Sequence, residues 1–541
     1  MWFSPQLLAK LILLLPLAAA ALVWLPMTQR LAGHDRDVGA ANARIRFQDY
    51  TTTGTSVLSA GLTLALAATA HRPQKFPFLF IGMYVDPLSI YFLLLVGVVA
   101  TMASFYIRPY LSRHHQDSPG RQALFYCLFN LFHLTMVLVP MVSNLVILWI
   151  GIELTTIAST ALIVVEGTRR HFEAAWKYIV ITSTGIIFAL LGTLFLAFAF
   201  RPKDGSQMKP SMSWYDMLAF AHHQELNHKL VTLSFLFVLI GYGTKAGLAP
   251  MHTWLPDAHG EAAYPVSALL SGVLLKSALY VILRFIVITN VSLGSHVFTS
   301  DVMLAAGLLA LVVATPMILR RSRFKRILAY HSLEHMGIIS VGIGIGGPIA
   351  LFGALLHVLN HGITKSLMFL GYGNVQDNMR AQADGPPGDH ASGPGGGEEF
   401  TGVIRAMPAT GWMLAFGGLA LVGSPPFSIF LSEFIILWGG FTDLVRRPSA
   451  GLTIAIVIFV ASITLIFGGL VRHLGRMLLG EPDQPAGRET VRRIVPLLLL
   501  FALVVLLGFT VPSIGPLHLG QLLHSSVHIV RNLCEGKGVC R

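Results

Sequence analysis

Residues 241–285 read GYGTKAGLAPMHTWLPDAHGEAAYPVSALLSGVLLKSALYVILRF. Two lysines, Lys245 and Lys276, stand there with apolar residues on either side. A lysine at bilayer depth costs about 3 kcal/mol, so two in one stretch require an explanation. Gly247, Pro250 and Pro256 follow the first lysine and interrupt its helix. An interrupted helix in a membrane frees backbone groups and admits water, which lowers the cost of a cation. The stretch reads as two membrane-spanning segments, the first broken and charged at the break.

The rest of the chain fits that reading. Of 541 residues 54% are hydrophobic and 12% charged, with mean hydropathy +0.67. Soluble domains carry roughly 25% charged residues. Apolar runs long enough to span a bilayer recur along almost the whole length. The fold class is an all-α polytopic membrane protein with about fourteen transmembrane helices. The expected spans are 7–25, 55–70, 84–107, 122–142, 144–165, 173–200, 231–257, 264–289, 302–320, 327–345, 349–374, 407–437, 452–471 and 494–512. The second is short. The first lacks a basic start and an A-x-A site, so it reads as a retained helix rather than a cleaved signal.

The seventh and twelfth spans are interrupted, the twelfth at GSPPF, Gly423 to Phe427. Breaks five helices apart suggest two five-helix repeats of inverted topology. The expected division is 1–121 for three N-terminal helices, 122–289 and 302–471 for the two repeat units, and 472–541 for the last helix and tail.

Cations concentrate in alternate loops: Arg30, Arg36, Arg44 and Arg46, then Arg108, Arg113 and Arg121, then Arg169 and Arg170, then RRSRFKR (Arg320 to Arg326), then Arg472, Arg476, Arg488, Arg492 and Arg493. The positive-inside rule places these loops in the cytoplasm and both termini outside, in a cell (inner) membrane. The formal charge of +12 therefore sets orientation and does not imply nucleic acid. The Gly/Pro-rich segment Asp384 to Glu399 reads as a flexible cytoplasmic linker. No phosphate-binding G-x-x-x-x-G-K-[ST] is present. The three cysteines form no C-x-x-C, which argues against an iron–sulfur centre. Cys534 and Cys540 could close a small disulfide on the outer side, or remain two thiols on a frayed tail.

Ionisable residues in span centres carry the function. Glu153 lies mid-span in the fifth, Lys245 at the break of the seventh and Lys276 in the eighth. His331, Glu334 and His335 begin the tenth. His357, His361 and Lys365 recur every four residues in the eleventh and share one face. Glu433 follows the second break. Such residues mark an ion or proton pathway. The bland alternatives are a structural Glu153–Lys245 ion pair, an interfacial His331 and a snorkelling Lys365. Lys177 is assigned to snorkelling and Asp86 to a helix N-cap before Pro87. The aromatics read mostly as lipid-facing or interfacial-belt residues, and no site is assigned to them.

The residue types suit proton transfer. Burial lowers a lysine's pKa by up to about 3–5 units. A carboxylate about 4 Å away opposes that by about 4 kcal/mol at an effective dielectric near 20. Moving Glu153 relative to Lys245 would switch the lysine's proton affinity, and histidines suit the relay between units. These arguments favour protons over a bulky substrate and leave sodium open.

The quoted stretch, with EAAWKYIVITSTGIIFALLGT and SLEHMGIISVGIG, resembles the antiporter-like membrane subunits of respiratory complex I, membrane-bound hydrogenases and multisubunit sodium/proton antiporters. It is most similar to the branch formed by component F of hydrogenase-4, and the resemblance covers about residues 80 to 475. The resemblance implies fourteen core helices in two inverted five-helix units, each with a proton half-channel. It places Glu153, Lys245, Lys276, His335, His361 and Glu433 on the family's proton pathway. The glutamate at 433, where some members carry lysine, puts the chain closest to the members with an acid there. The long lateral helix of the most distal complex I subunit is not expected after the last span. No cofactor, redox centre or metal is implied. The implied partners are the other membrane subunits of a complex I-like or hydrogenase complex, peripheral redox subunits and the lipid bilayer.

Two functions remain from the sequence. One is proton translocation in a redox-driven complex. The other is the membrane partner of a non-redox complex, a cation/proton antiporter or an inorganic-carbon uptake system. A haem enzyme is disfavoured, because no histidine pair on two neighbouring helices stands out from the relay pattern.

Overall fold

The structure, a computed structural model, describes residues 4–31, 38–70, 72–79, 81–115, 118–200, 212–221, 226–320, 322–380, 400–482, 489–511, 513–514 and 517–531. The linker at Asp384 to Glu399 and the pair Cys534 and Cys540 lie outside the described residues.

Helices dominate. They are α1 (Pro5–Leu31), α2 (Val38–Thr69), α3 (Pro87–His114), α4 (Pro119–Leu138), α5 (Leu145–Val164), α6 (Arg169–Ala199), α7 (Trp214–Ala221), α8 (His228–Ala246), α9 (Trp254–Glu261) and α10 (Tyr264–Leu269). A π-turn, Leu270–Leu274, leads from α10 into α11 (Leu275–Leu293). There follow α12 (Val297–Leu319), α13 (Phe324–Ile345), α14 (Pro348–Arg380), α15 (Val403–Ala406), α16 (Pro408–Leu421), α17 (Ser428–Arg446), α18 (Ala450–Leu478), α19 (Val491–Phe509) and α20 (Leu519–Arg531). Two antiparallel hairpins stand outside the helices, Gln74–Phe78 with Ile81–Val85 and Ser513–Ile514 with Leu517–His518.

Eleven helical segments among the described residues are long and apolar enough to cross a membrane by length and composition. The expected second, tenth and eleventh spans fall on α2, α13 and α14, which are not among these eleven. Helices α13 and α14 are less apolar because they carry His331, Glu334, His335, His357, His361 and Lys365. All six of those side chains are buried inside the protein, where lipid never meets them. The helix at the expected second span, α2, is longer than the expected 55–70, beginning at Val38 in a polar stretch.

Burial arranges the bundle in shells. Residues 264–292 are wholly enclosed, whereas Val297–Leu319, Ala450–Leu478 and Val491–Phe509 keep exposed apolar faces suited to lipid or a neighbouring subunit. Glycines let helices approach closely around this centre. A Cβ on Gly241 of α8 would collide with the Ala189 backbone nitrogen of α6. Close backbone approach of this kind is the usual packing device between membrane helices.

Candidate functional site

Lys245 occupies the last turn of α8 and is fully buried. The helix ends there because Gly247 takes φ +76°, the left-handed region. Leu248 N–H turns back to Gly243 O at 2.8 Å, and Gly247 N–H to Thr244 O at 3.2 Å. Pro250 lies in the irregular segment before α9. Pro256, expected to interrupt as well, sits in the first turn of α9, where proline is tolerated.

The lysine is held by hydroxyls. Its Nζ donates to Thr156 Oγ1 at 2.6 Å and to Tyr178 OH at 2.7 Å. The Tyr178 ring stacks on Trp254 at 4.6 Å, and Trp254 Nε1 donates to Thr244 O at 2.9 Å. A residue beyond the break thus braces the ring that binds the lysine. Thr156 Oγ1 in turn donates to Glu153 Oε2 at 3.4 Å, and Ser183 Oγ donates to Glu153 Oε1 at 2.6 Å. The structural ion pair weighed from sequence is therefore corrected. Among the described residues Glu153 makes no direct ion pair with Lys245; one hydroxyl, a helical turn after Glu153, stands between them. Glu153 is half-buried, between the exposed Leu154 and Ile157 side of α5 and the bundle.

The central groups lie on α11, α13 and α14. Lys276 Nζ donates to the Ser271 carbonyl within the π-turn, and Ser271 Oγ meets Ser332 Oγ of α13 at 2.8 Å. His331 Nδ1 meets Glu334 Oε2 at 2.7 Å, with both side chains buried, so His331 is no interfacial residue. Lys365 does not snorkel: it is fully buried, donates to Leu328 O and lies 5.2 Å from the Phe369 ring centroid. His335 Nδ1 and His357 Nε2 are 3.0 Å apart, and the His335 ring stacks on His361 at 4.5 Å. Helices α13 and α14 thus do bring a histidine pair together, which sequence reasoning did not single out. At 3.0 Å the two nitrogens share a hydrogen bond, with no space for a haem iron between them.

The second break has the same backbone device as the first. Gly423 takes φ +68°, and Ser424 N–H closes to Leu419 O at 3.0 Å. A Cβ on Gly423 would collide with Glu433 Oε2, so the carboxylate folds back onto the break. His335, His357 and Glu433 each bring one donor atom within 4.8 Å of the others, as do His331, Glu334 and His335. Those spacings would accept a divalent metal, although ring nitrogens in both groups already have hydrogen-bond partners.

Several contributors escaped the sequence. Thr156, Tyr178, Ser183, Trp254 and Ser432 all touch the ionisable line. The one signal in the sequence was Thr156, three residues after Glu153 on a helix face. Asp86 is an N-cap as expected, accepting from Ser89 N at 2.9 Å. It also takes a bidentate fork from the buried Arg284 at 2.6 and 2.7 Å, which the sequence did not reveal. Lys177, assigned to snorkelling, is partly exposed and pairs with Glu173 at 2.6 Å and Asp257 at 3.5 Å. At the end of α3, His115 meets Glu166 at 3.2 Å. Burial alone would raise the Glu166 carboxyl, but His115 and Tyr110 hold it below the ordinary carboxylate range.

A family model described as NADH:quinone oxidoreductase/Mrp antiporter, transmembrane, matches residues 142–464. The Hydrogenase-4 component F homolog of Methylacidiphilum infernorum is 34% identical over 433 residues, 79% of this chain and 85% of that protein. A chain of the membrane-bound sulfane sulfur reductase, an archaeal respiratory membrane complex, superposes with TM-score 0.78 at 22% identity, covering 97% of this chain and 98% of that one. A chain of respiratory complex I from Thermus thermophilus gives TM-score 0.75 at 19% identity, covering 97% and 99%. The family model, which spans more than half of the chain, and the hydrogenase-4 relative agree with the broken, charged helices: this chain belongs to the NADH:quinone oxidoreductase/Mrp antiporter family of membrane subunits.

Proposed function

We propose that the chain conducts protons as one membrane subunit of a redox-driven complex, of the NADH-quinone oxidoreductase or hydrogenase-4/formate hydrogenlyase kind. One observation carries the reading. Ionisable side chains that lipid would exclude are enclosed in the bundle and linked by short hydrogen bonds through hydroxyls and imidazoles. Proton transfer needs donors and acceptors at such separations, directly or through one water. In this reading Glu153, Thr156, Lys245 and Tyr178 form the first half-channel. Lys276, His331, Glu334, His335, His357, His361 and Lys365 form the central relay, and Glu433 the second half-channel. The proposal includes fourteen spans in two inverted five-helix units, at 122–289 and 302–471, with the N-terminal three helices before them and the last helix after. The chain lies in the cell (inner) membrane with both termini outside.

The half-exposed Glu153 supports a partner on that side, because lipid cannot solvate a carboxylate. The partners are other membrane subunits, with peripheral redox subunits supplying the energy. Moving one charge against 100 mV costs about 2.3 kcal/mol, a small demand on an electron-transfer reaction. A non-redox complex, an antiporter or an inorganic-carbon uptake system, would use the same residues.

The test has two parts. Lys245→Ala in the assembled complex should abolish proton movement while co-purification of the subunits survives; normal transport would refute the pathway. Identification of the co-purified partners separates the two settings: hydrogenase or quinone-reductase subunits support the redox reading, and a lone zinc-dependent partner would overturn it.

A further inference from the structure

Ser432 has no place in the relay as described so far. It precedes Glu433 on α17 and is fully buried. Four groups converge on its oxygen: His357 Nδ1 at 2.9 Å, Asn360 Nδ2 at 3.3 Å, Ile429 O at 2.8 Å and, at the limit of bonding, Ser428 O at 3.5 Å. A hydroxyl carries a single hydrogen. Ile429 O is an acceptor only, so the short bond to it takes that hydrogen. Asn360 Nδ2 also donates to Ser428 O at 2.6 Å, which fixes it as the nitrogen end of the amide. With the serine hydrogen committed, His357 Nδ1 must donate to Ser432 Oγ. His357 then has its lone pair on Nε2, facing His335 Nδ1 at 3.0 Å. His335 Nδ1 must carry the hydrogen in turn, which leaves its own lone pair on Nε2. That nitrogen is buried without a hydrogen-bond partner. The pair therefore has one open acceptor, at the His335 end.

We propose that Ser432 is a positioning residue that sets the tautomers of His357 and His335, and so the direction in which a proton crosses the pair. This rests on the proton-conducting reading of the site. A proton arriving at His335 Nε2 makes an imidazolium. Its Nδ1–H bond breaks as an Nε2–H bond forms on His357. His335 is then neutral with hydrogen on Nε2, and His357 is positive with hydrogen on both nitrogens. The His357 Nε2 hydrogen passes through one bridging water to the Glu433 carboxylate, which lies within the 4.8 Å group formed with both rings. Glu433 ends as a carboxylic acid and His357 as the Nδ1–H tautomer again. His335 is left as the Nε2–H tautomer, and the starting arrangement returns only when Nε2 gives up that hydrogen to water and Nδ1 takes one from water. One proton has moved from His335 to Glu433.

The test uses the full chain in its native complex, in sealed vesicles under an imposed pH gradient. Proton flux is read with a pH-sensitive dye. The histidine tautomer is read from the infrared C–N band of isotope-labelled imidazole, which differs between Nδ1–H and Nε2–H forms. Ser432→Ala should lower flux about ten- to a hundredfold, the scale on which loss of a histidine-orienting partner acts at metal sites. It should also mix the tautomer band, and Ser432→Thr, which keeps the hydroxyl, should restore both. Wild-type flux in Ser432→Ala with none in His335→Ala overturns the inference and leaves the pathway standing. Wild-type flux in both variants overturns the pathway itself. A flux loss with an unchanged band, or one that threonine does not restore, assigns Ser432 to packing and also overturns the inference.

Discussion

Thr156 is the residue whose loss should separate Glu153 from Lys245 without disturbing either. Valine is close to threonine in shape and shares its β-branching, so Thr156→Val removes a hydroxyl from α5 and little else. Lys245 Nζ then keeps its 2.7 Å bond to Tyr178 OH and loses the 2.6 Å bond to Thr156 Oγ1. The 3.4 Å bond from Thr156 to Glu153 disappears at the same time. A hydrogen bond to a charged group contributes about 1.5–3 kcal/mol. At about 1.4 kcal/mol per decade, transfer through this point should slow about ten- to a hundredfold. The assay is dye-monitored proton flux in vesicles holding the assembled complex, with native gels to confirm assembly. Thr156→Ser should recover most of the loss. Flux within twofold of wild type in a fully assembled Thr156→Val complex would refute the hydroxyl bridge, whatever Lys245→Ala does.

The other tests concern the scaffold. Asp86→Asn leaves the buried Arg284 guanidinium without its charged partner, which should destabilise the chain by about 3–5 kcal/mol. Thermal unfolding in detergent would show it, and Asp86→Ala with Arg284→Met should recover much of the difference. The Glu166 carboxyl is held below its usual 4.5 in the fold, so its stabilisation is present above the unfolded pKa and lost as pH falls through the depressed folded value. Glu166→Gln should therefore cost stability at neutral pH and remove part of the acid-induced loss below pH 4.5, read as the melting temperature against pH. An unchanged acid limb would show that the His115–Glu166 contact contributes nothing to linkage.

The sequence disclosed what depends on composition and on single ionisable residues. Membrane spans follow from length and hydropathy, and both breaks follow from glycine and proline near charge. Lys245 and Lys276 declared themselves because each is a lone cation in apolar surroundings. Thr156 and Ser432 did not, since a hydroxyl residue in a membrane helix commonly bonds its own carbonyl one turn back. Their roles appear only when α5 meets α8 and α14 meets α17. The Asp86–Arg284 fork was hidden for a similar reason. Asp86 is sufficiently explained by its capping of α3, and its partner lies 198 residues away. The histidine pair was half legible: the four-residue spacing in α14 puts His357 and His361 on one face, but only packing shows which of them His335 reaches.

One break carries a base and the other an acid, and helix polarity favours that choice at each. Lys245 lies at the C-terminal end of α8, just before the first break. Unpaired carbonyls make a helix C-terminus negative, which favours a cation there. Glu433 lies in the second turn of α17, after the second break, and its carboxylate folds back onto the space that a Cβ on Gly423 would take. A helix N-terminus is positive and favours an anion. The base precedes its break and the acid follows its own, so each charge sits at the end of the half-helix that stabilises it. The contribution is about 0.3–2 kcal/mol at each site, larger where water is excluded. Reversing a charge should then cost more than removing it. Glu433→Lys should melt below Glu433→Gln, and Lys245→Glu below Lys245→Met, in thermal unfolding of the detergent-solubilised complex. If each reversed variant melts at or above its neutral counterpart, helix polarity does not set these signs, and the choice of acid or base at each break would rest on proton transfer alone.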